Sequence, residues 1–167
     1  AYEDHPLPIA EGQTISQPYI VALMLEALGL FPSNRVLEVG TGSGYVTALL
    51  AELAAEVVSI ERHNALADTA RTVISGMGYG NVTILTGDGT QGFPQGAPYD
   101  AIIVSAAAAE MPKALVEQLI EGGRMIIPVG AQDAQQLLLV QIQDGQPCTS
   151  FRELCRFVPL IVECLGS

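Results

Sequence analysis

Apolar positions along this chain alternate between two spacings, and glycines stand at most of the changeovers. Ile20, Val21, Met24, Leu25 and Leu28 recur at helical spacing behind Pro18, and Gly29 is placed to stop that helix. The polar stretch 11–16 ahead of it reads as a loop. Val36, Leu37 and Val39 predict a first strand over residues 35–39, with a helix over 45–53 behind it. Val57, Val58 and Ile60 predict a second strand ending in Glu61. Residues 64–77 then read as a helix, with Leu66, Ala70, Val73, Ile74 and Met77 apolar and Gly78 behind it. Strands follow at 82–86 and 101–104. Pro112 opens a further helix whose Leu115, Leu119 and Ile120 face the core before Gly122 and Gly123. The last predicted strands are 125–129, 137–142 and 157–162, with the Asp144-Gly145 turn between the final two.

Strands alternating with helices predict an α/β fold with a doubly wound, mostly parallel sheet, to which the hairpin-like last strands add an antiparallel edge. No internal repeat or low-complexity linker interrupts the pattern, so one domain over residues 1–167 is expected. Ligands of such sheets sit at the carboxyl ends of the strands. Four predicted strand ends carry polar or turn-forming residues: the loop after Val39, Glu61, Gly87-Asp88-Gly89 and Ser105.

The loop after the first strand is the richest of these. Gly40, Gly42 and Gly44 let the backbone turn sharply and approach a ligand, and the next helix points its free N–H groups at the same place. A dinucleotide fingerprint needs Gly or Ala three residues after the second glycine, and that position is Tyr45. Glu38 adds a carboxylate that would repel a pyrophosphate and attract the ammonium and sulfonium of S-adenosylmethionine; the competing reading is a paired or solvated strand-end charge. Glu61 follows Gly40 by 21 residues, near the spacing at which an acid meets ribose hydroxyls. Asp88 suits either an adenine amino group or a plain turn.

Composition narrows the partners. The chain has a net charge of −11, from 18 acids against 7 bases, which argues against nucleic-acid binding. No apolar run is long enough to span a membrane, and no basic, apolar leader opens the sequence. Cys148, Cys155 and Cys164 lack C-x-x-C spacing, so buried reduced thiols in a cytoplasmic protein are expected, with no metal site. His5 and His63 lack a nucleophile or metal partner at a telling spacing and read as surface or capping residues.

Several segments together resemble the protein-L-isoaspartate (D-aspartate) O-methyltransferase family. They are Gly12-Gln-Thr-Ile-Ser-Gln-Pro-Tyr19, the glycine loop, Gly87-Asp-Gly89, Tyr99-Asp-Ala-Ile-Ile-Val104, Glu121-Gly-Gly123, Pro128-Val-Gly130 and Arg156-Phe-Val-Pro-Leu160. The resemblance implies a Rossmann-like class I methyltransferase fold lacking the family's N-terminal helical segment. It implies methyl transfer from S-adenosylmethionine, leaving S-adenosylhomocysteine, to the free α-carboxylate of isoaspartyl residues in damaged peptides and proteins. By that likeness Thr14, Ile15 and Ser16 line the reaction site, with Ser16 as the catalytic hydroxyl; its other reading is the N-cap of the helix at Pro18. Gly40, Thr41 and Gly42 would hold the methionine part of the cofactor, Glu61 its ribose, and Asp88 with Gly89 its adenine. Val158 and Pro159 would grip the substrate peptide. A different carboxylate or peptide acceptor, or a cofactor-binding domain without turnover, remains open at this point. A monomer is expected.

Overall fold

The computed structural model describes residues 7–8, 14–15 and 17–161. Two short strands, β1 (Leu7–Pro8) and β2 (Thr14–Ile15), pair antiparallel as a ribbon ahead of the main fold. Then come α1 (Pro18–Leu28), β3 (Arg35–Val39), α2 (Tyr45–Leu53), β4 (Glu56–Glu61), α3 (Asn64–Gly76) and β5 (Val82–Thr86). After two single 3₁₀ turns the chain continues as β6 (Tyr99–Val104), α4 (Lys113–Val116), β7 (Leu119–Ala131), β8 (Ala134–Gln143) and β9 (Gln146–Cys155).

Strands β3 to β9 form one seven-stranded sheet in the order β5-β4-β3-β6-β7-β8-β9. The five strands from β5 to β7 run parallel, and β8 and β9 are antiparallel, as the alternating pattern predicts. Chain order proceeds from β3 through β4 to β5 and then returns to the other side of β3 at β6. That reversal opens a crevice over the carboxyl ends of β3, β4 and β6, because the connections leave in opposite directions there.

Alternate residues of each strand face opposite layers. Val36, Val57, Ala101, Ile103 and Ile126 pack against Ile20, Met24 and Leu28 of α1 and Leu50 of α2. Leu37, Val58, Ile60, Ile102, Val104 and Met125 face the other way, towards Leu115 of α4 and the long connections. Both faces of the central strands are therefore dry, which explains their continuous apolar runs.

Four expectations need correction. The helix at Pro112 stops after Val116, and Leu119 and Ile120 open β7 instead, where Tyr99 pairs with Leu119. Among the described residues the last strand is Gln146–Cys155, and residues 157–161 of the strand expected over 157–162 lie outside the sheet; β9 is a mostly exposed edge strand with little apolar alternation to betray it. Val73 and Met77 stand in solvent on the outer side of α3, where a 13-residue helix packed by Leu66, Ala67, Ala70 and Ile74 has its inner face already filled. Cys148 is exposed and Cys155 half-buried, both free, and Cys164 lies outside the described residues.

Gln118 holds the long connections together. Its buried amide accepts a hydrogen bond from Phe93 N (2.9 Å) and donates to Gln91 O (2.8 Å) and Ala114 O (2.9 Å). The Tyr99 hydroxyl donates to Phe93 O at 2.8 Å beside it. Replacing Gln118 by Met keeps the volume but orphans these backbone groups, so we expect Gln118→Met to lower unfolding stability by roughly 2–4 kcal/mol. Urea denaturation monitored by circular dichroism measures the loss; an unchanged midpoint would show that water replaces the amide fully.

Candidate active site

Four strand ends converge on one cleft. Its walls include Val39 to Ser43 of the glycine loop, Tyr45 and Val46 of α2, Ile60 to His63, Asp88 and Gly89, Ser105 and Ala106, and residues 158–161. Backbone hydrogen bonds fix the loops to one another: Gly40 N donates to Ile60 O (2.8 Å), Gly87 N to Glu61 O (2.9 Å) and Ser105 N to Val39 O (2.9 Å). Gly40, Gly42 and Gly44 all have positive φ, at 96°, 54° and 83°, a conformation that side-chain-bearing residues rarely adopt. The glycine triplet is thus a backbone requirement. Gly89 is required for a different reason, since a Cβ there would collide with Cγ1 of Val39.

Glu61 is the polar centre of the cleft. Its side chain is 5% exposed; Oε2 accepts from Gly42 N and Oε1 from His63 N, each at 2.9 Å. Each carboxylate oxygen keeps a further lone pair for a hydroxyl. Asp88 caps the 3₁₀ turn that follows it, Oδ1 accepting from Thr90 N at 2.9 Å, and still lines the cleft. His63 occupies the N-cap position of α3 without a side-chain capping bond and also lines the cleft. Tyr45, which stands where a dinucleotide fingerprint needs Gly or Ala, is 44% exposed on the cleft wall.

Glu38 departs from its expected place. It is fully buried, and its side chain lies on the α2 side of β3, outside the lining of the cleft. The alternation of β3 decides this, because Leu37 and Val39 take the other face. Oε2 accepts hydrogen bonds from Thr47 Oγ1 and Ser59 Oγ, both at 2.6 Å, and Ser59 shares a 2.5 Å hydrogen bond with Thr41 Oγ1. Oε1 has no partner among the described atoms. Burial pushes the carboxyl up to about 7, against the hydroxyl bonds that favour its charged form, with Glu61 adding a smaller upward push. Glu38 reaches the lining of the cleft indirectly, through Ser59 and Thr41.

The remaining candidates divide in the same way. Gly40, Thr41, Gly42, Glu61, Asp88, Gly89, Val158 and Pro159 all line the cleft. Ser16 and His5 lie outside the described residues, and the N-cap position of α1 falls on Gln17 rather than Ser16. Thr14 and Ile15 are described only as backbone, paired with Pro8 and Leu7. Sequence reading passes over Ser59, Thr47 and Gln135, three buried polar residues that hold the loops. Ser59, between Val58 and Ile60, gives only the signal of a polar residue in an apolar run, and Gln135, beside Gln136 at the start of β8, gives none.

The donor set suits S-adenosylmethionine: a glycine cradle for close approach, a buried carboxylate for two hydroxyls and an acid at the far end for an amino group. Among the described residues no three His, Cys, Asp or Glu side chains gather as a metal site, and no helix is long and apolar enough to cross a membrane.

The raised proton affinity of Glu38 makes stability depend on pH. Its folded-state value lies above its ordinary one, so the cost of burying the charge is absent below about 4.5, grows from there to about 7 and is complete above that. We expect Glu38→Gln to escape this cost. Its stability relative to the parent should rise between pH 5 and pH 8, by on the order of 2–3 kcal/mol at most. A pH-independent difference in paired thermal melts would mean that Glu38 stays charged throughout.

A model of the family described as Protein-L-isoaspartate(D-aspartate) O-methyltransferase (PCMT) matches residues 1–164. A protein-L-isoaspartate O-methyltransferase of Koribacter versatilis is 55% identical over 161 residues, spanning 96% of this chain and 72% of its own length. Among solved structures, a protein-L-isoaspartate O-methyltransferase superposes with a TM-score of 0.87 at 33% identity, and this chain, 95% covered, spans 53% of that one. A Plasmodium falciparum structure described as the same kind of enzyme, in complex with S-adenosyl-L-homocysteine, gives 0.85 at 30% identity, over 96% of this chain and 81% of that one. With the family model spanning almost every residue and more than half of them identical in a relative of known type, the chain belongs to the protein-L-isoaspartate(D-aspartate) O-methyltransferase family.

Proposed function

We propose that this chain transfers the methyl group of S-adenosylmethionine to the free α-carboxylate of L-isoaspartyl or D-aspartyl residues in damaged proteins and peptides, the first step of their repair. The observation that carries this reading is the cleft itself, where Glu61, Asp88 and the glycine loop converge at the sheet's reversal point in a chain of this family. Glu61 is assigned to the ribose hydroxyls, Asp88 and Gly89 to the adenine edge, and Gly40, Thr41 and Gly42 to the methionine end. Val158 and Pro159 form a wall for the peptide, with Thr14, Ile15 and Ser16 on the reacting side.

S-adenosylmethionine supplies an electrophilic methyl group when bound. The acceptor needs little activation, since a backbone-type carboxyl is ionised at neutral pH and requires no general base. The chain's own task is to orient that carboxylate and to exclude water, which is catalysis by positioning and desolvation. Ser16 is assigned to orientation through its hydroxyl. The acidic balance of the chain makes local donors essential to holding an anion.

Labelled S-adenosylmethionine, incubated with an isoaspartyl peptide and its normal aspartyl counterpart, tests the reaction. Base-labile label should appear on the isoaspartyl peptide alone; cofactor binding without transfer to either peptide would overturn the assignment. Two variants separate the roles. Glu61→Gln should weaken S-adenosylhomocysteine binding roughly tenfold to a hundredfold by calorimetry, the loss of a charge-assisted pair of hydroxyl bonds. Ser16→Ala should slow transfer with cofactor affinity unchanged, and equal turnover would reduce Ser16 to a spacer before α1.

A further inference from the structure

Residues 158–161 cross the cleft as a strap, although no strand of the main sheet includes them. Three contacts hold them there. Ala107 N donates to Val158 O (2.8 Å) and Leu160 N donates to Ala107 O (2.7 Å), a short parallel bridge. Arg62 Nη1 donates to Ile161 O at 3.1 Å, from the far rim of the cleft. The third contact lies before the strap, where the chain leaves the sheet.

At that exit β9 ends with Cys155 paired to Gln135 of β8. Two residues later the side chain of Gln135 takes over from the backbone. Its Oε1 accepts from Phe157 N at 2.5 Å, and its Nε2 donates to Phe157 O at 3.0 Å. A primary amide offers the same donor and acceptor pair as a peptide group, so the side chain extends the ladder by one rung beyond the strand. Gln135 is 1% exposed and both ends of its amide are used. A buried amide engaged in this way is expensive to disturb, because the Phe157 N–H and C=O would lose their partners together.

We propose that Gln135 is a positioning residue for the cofactor cleft: by fixing the backbone of Phe157 it sets the direction in which the strap leaves the sheet, and so the height of the wall formed by Val158 and Pro159. Gln135 is not among the walls of the cleft, and it lines a separate hollow with Gln17, Asp133, Cys155, Arg156 and Phe157. Its influence on binding is therefore transmitted through one peptide group. The inference rests on the cleft being the cofactor site.

The test is calorimetric titration of S-adenosylhomocysteine into the parent protein, Gln135→Ala and Gln135→Glu, each shown to be folded by a cooperative melt. Gln135→Ala should bind roughly tenfold more weakly, the loss of one buried amide pair at the strap. Gln135→Glu provides a control that does not depend on the alanine variant folding. A neutral carboxyl can both donate to Phe157 O and accept from Phe157 N, whereas an ionised one can only accept. Its affinity relative to the parent should be close to one at pH 5 and fall as pH rises towards 8. Asp133, Cys155 and Arg156 share the hollow and are present in both proteins, so the ratio isolates the new carboxyl. Folded variants that bind as tightly as the parent at every pH would overturn the proposal. A parent protein that fails to bind would overturn the reading of the cleft on which it rests.

Discussion

The carboxylate of Glu61 joins backbone segments that no strand ladder connects. Through Gly42 it fixes the glycine loop after β3, and through His63 it fixes the entry into α3, while its own carbonyl receives Gly87 from the loop after β5. The register Val39↔Ile60 brings the ends of β3 and β4 level, so that one side chain spans both. Remove that anion and two N–H groups at the cleft floor lose their acceptor. The shape of the cleft thus follows from a single buried charge that the protein satisfies with its own peptide groups.

Two glutamates on neighbouring strands show how position decides the chemistry of one residue type. Glu38 and Glu61 belong to paired strands, and the residue directly opposite Glu38 is Ser59. Glu61 terminates its strand, where free amides are available and a ligand can reach it. Glu38 sits one position before its strand ends, between β3 and α2, and meets only hydroxyls. Hydroxyl bonds offset part of the desolvation, and the proton stays bound to higher pH than on an exposed glutamate. The chain Glu38, Ser59, Thr41 then couples that buried proton to the lining of the cleft.

Much of the fold was legible because the parallel strands are buried on both faces and announce themselves as apolar runs. The glycine loop, Glu61 and Asp88 were legible because a turn at a strand end has few side-chain options. Leu119 and Ile120 misled because an apolar pair separated from Leu115 by helical spacing fits a helix as well as a strand, and only pairing with Tyr99 decides between them. Edge strand β9 escaped because Thr149, Ser150, Arg152 and Glu153 mask the alternation with polar side chains. The indirect role of Glu38 was invisible for another reason: which face a strand residue takes depends on its neighbours' packing, and a two-residue offset from the glycine says nothing of it.

The open margin of β9 has its own consequence. Phe151 and Leu154 stand 55% and 65% exposed on β9, and among the described residues no further strand lies beside its outer row of peptide groups. Such an edge invites cross-molecular β pairing and aggregation. The register slips between Leu137 and Leu138, leaving Arg152 as an extra residue that kinks the strand, and Pro147 removes one donor near its start. Irregularity and charge at this margin act as a guard on solubility, and a smoother or more apolar β9 would trade that guard for a sticky rim.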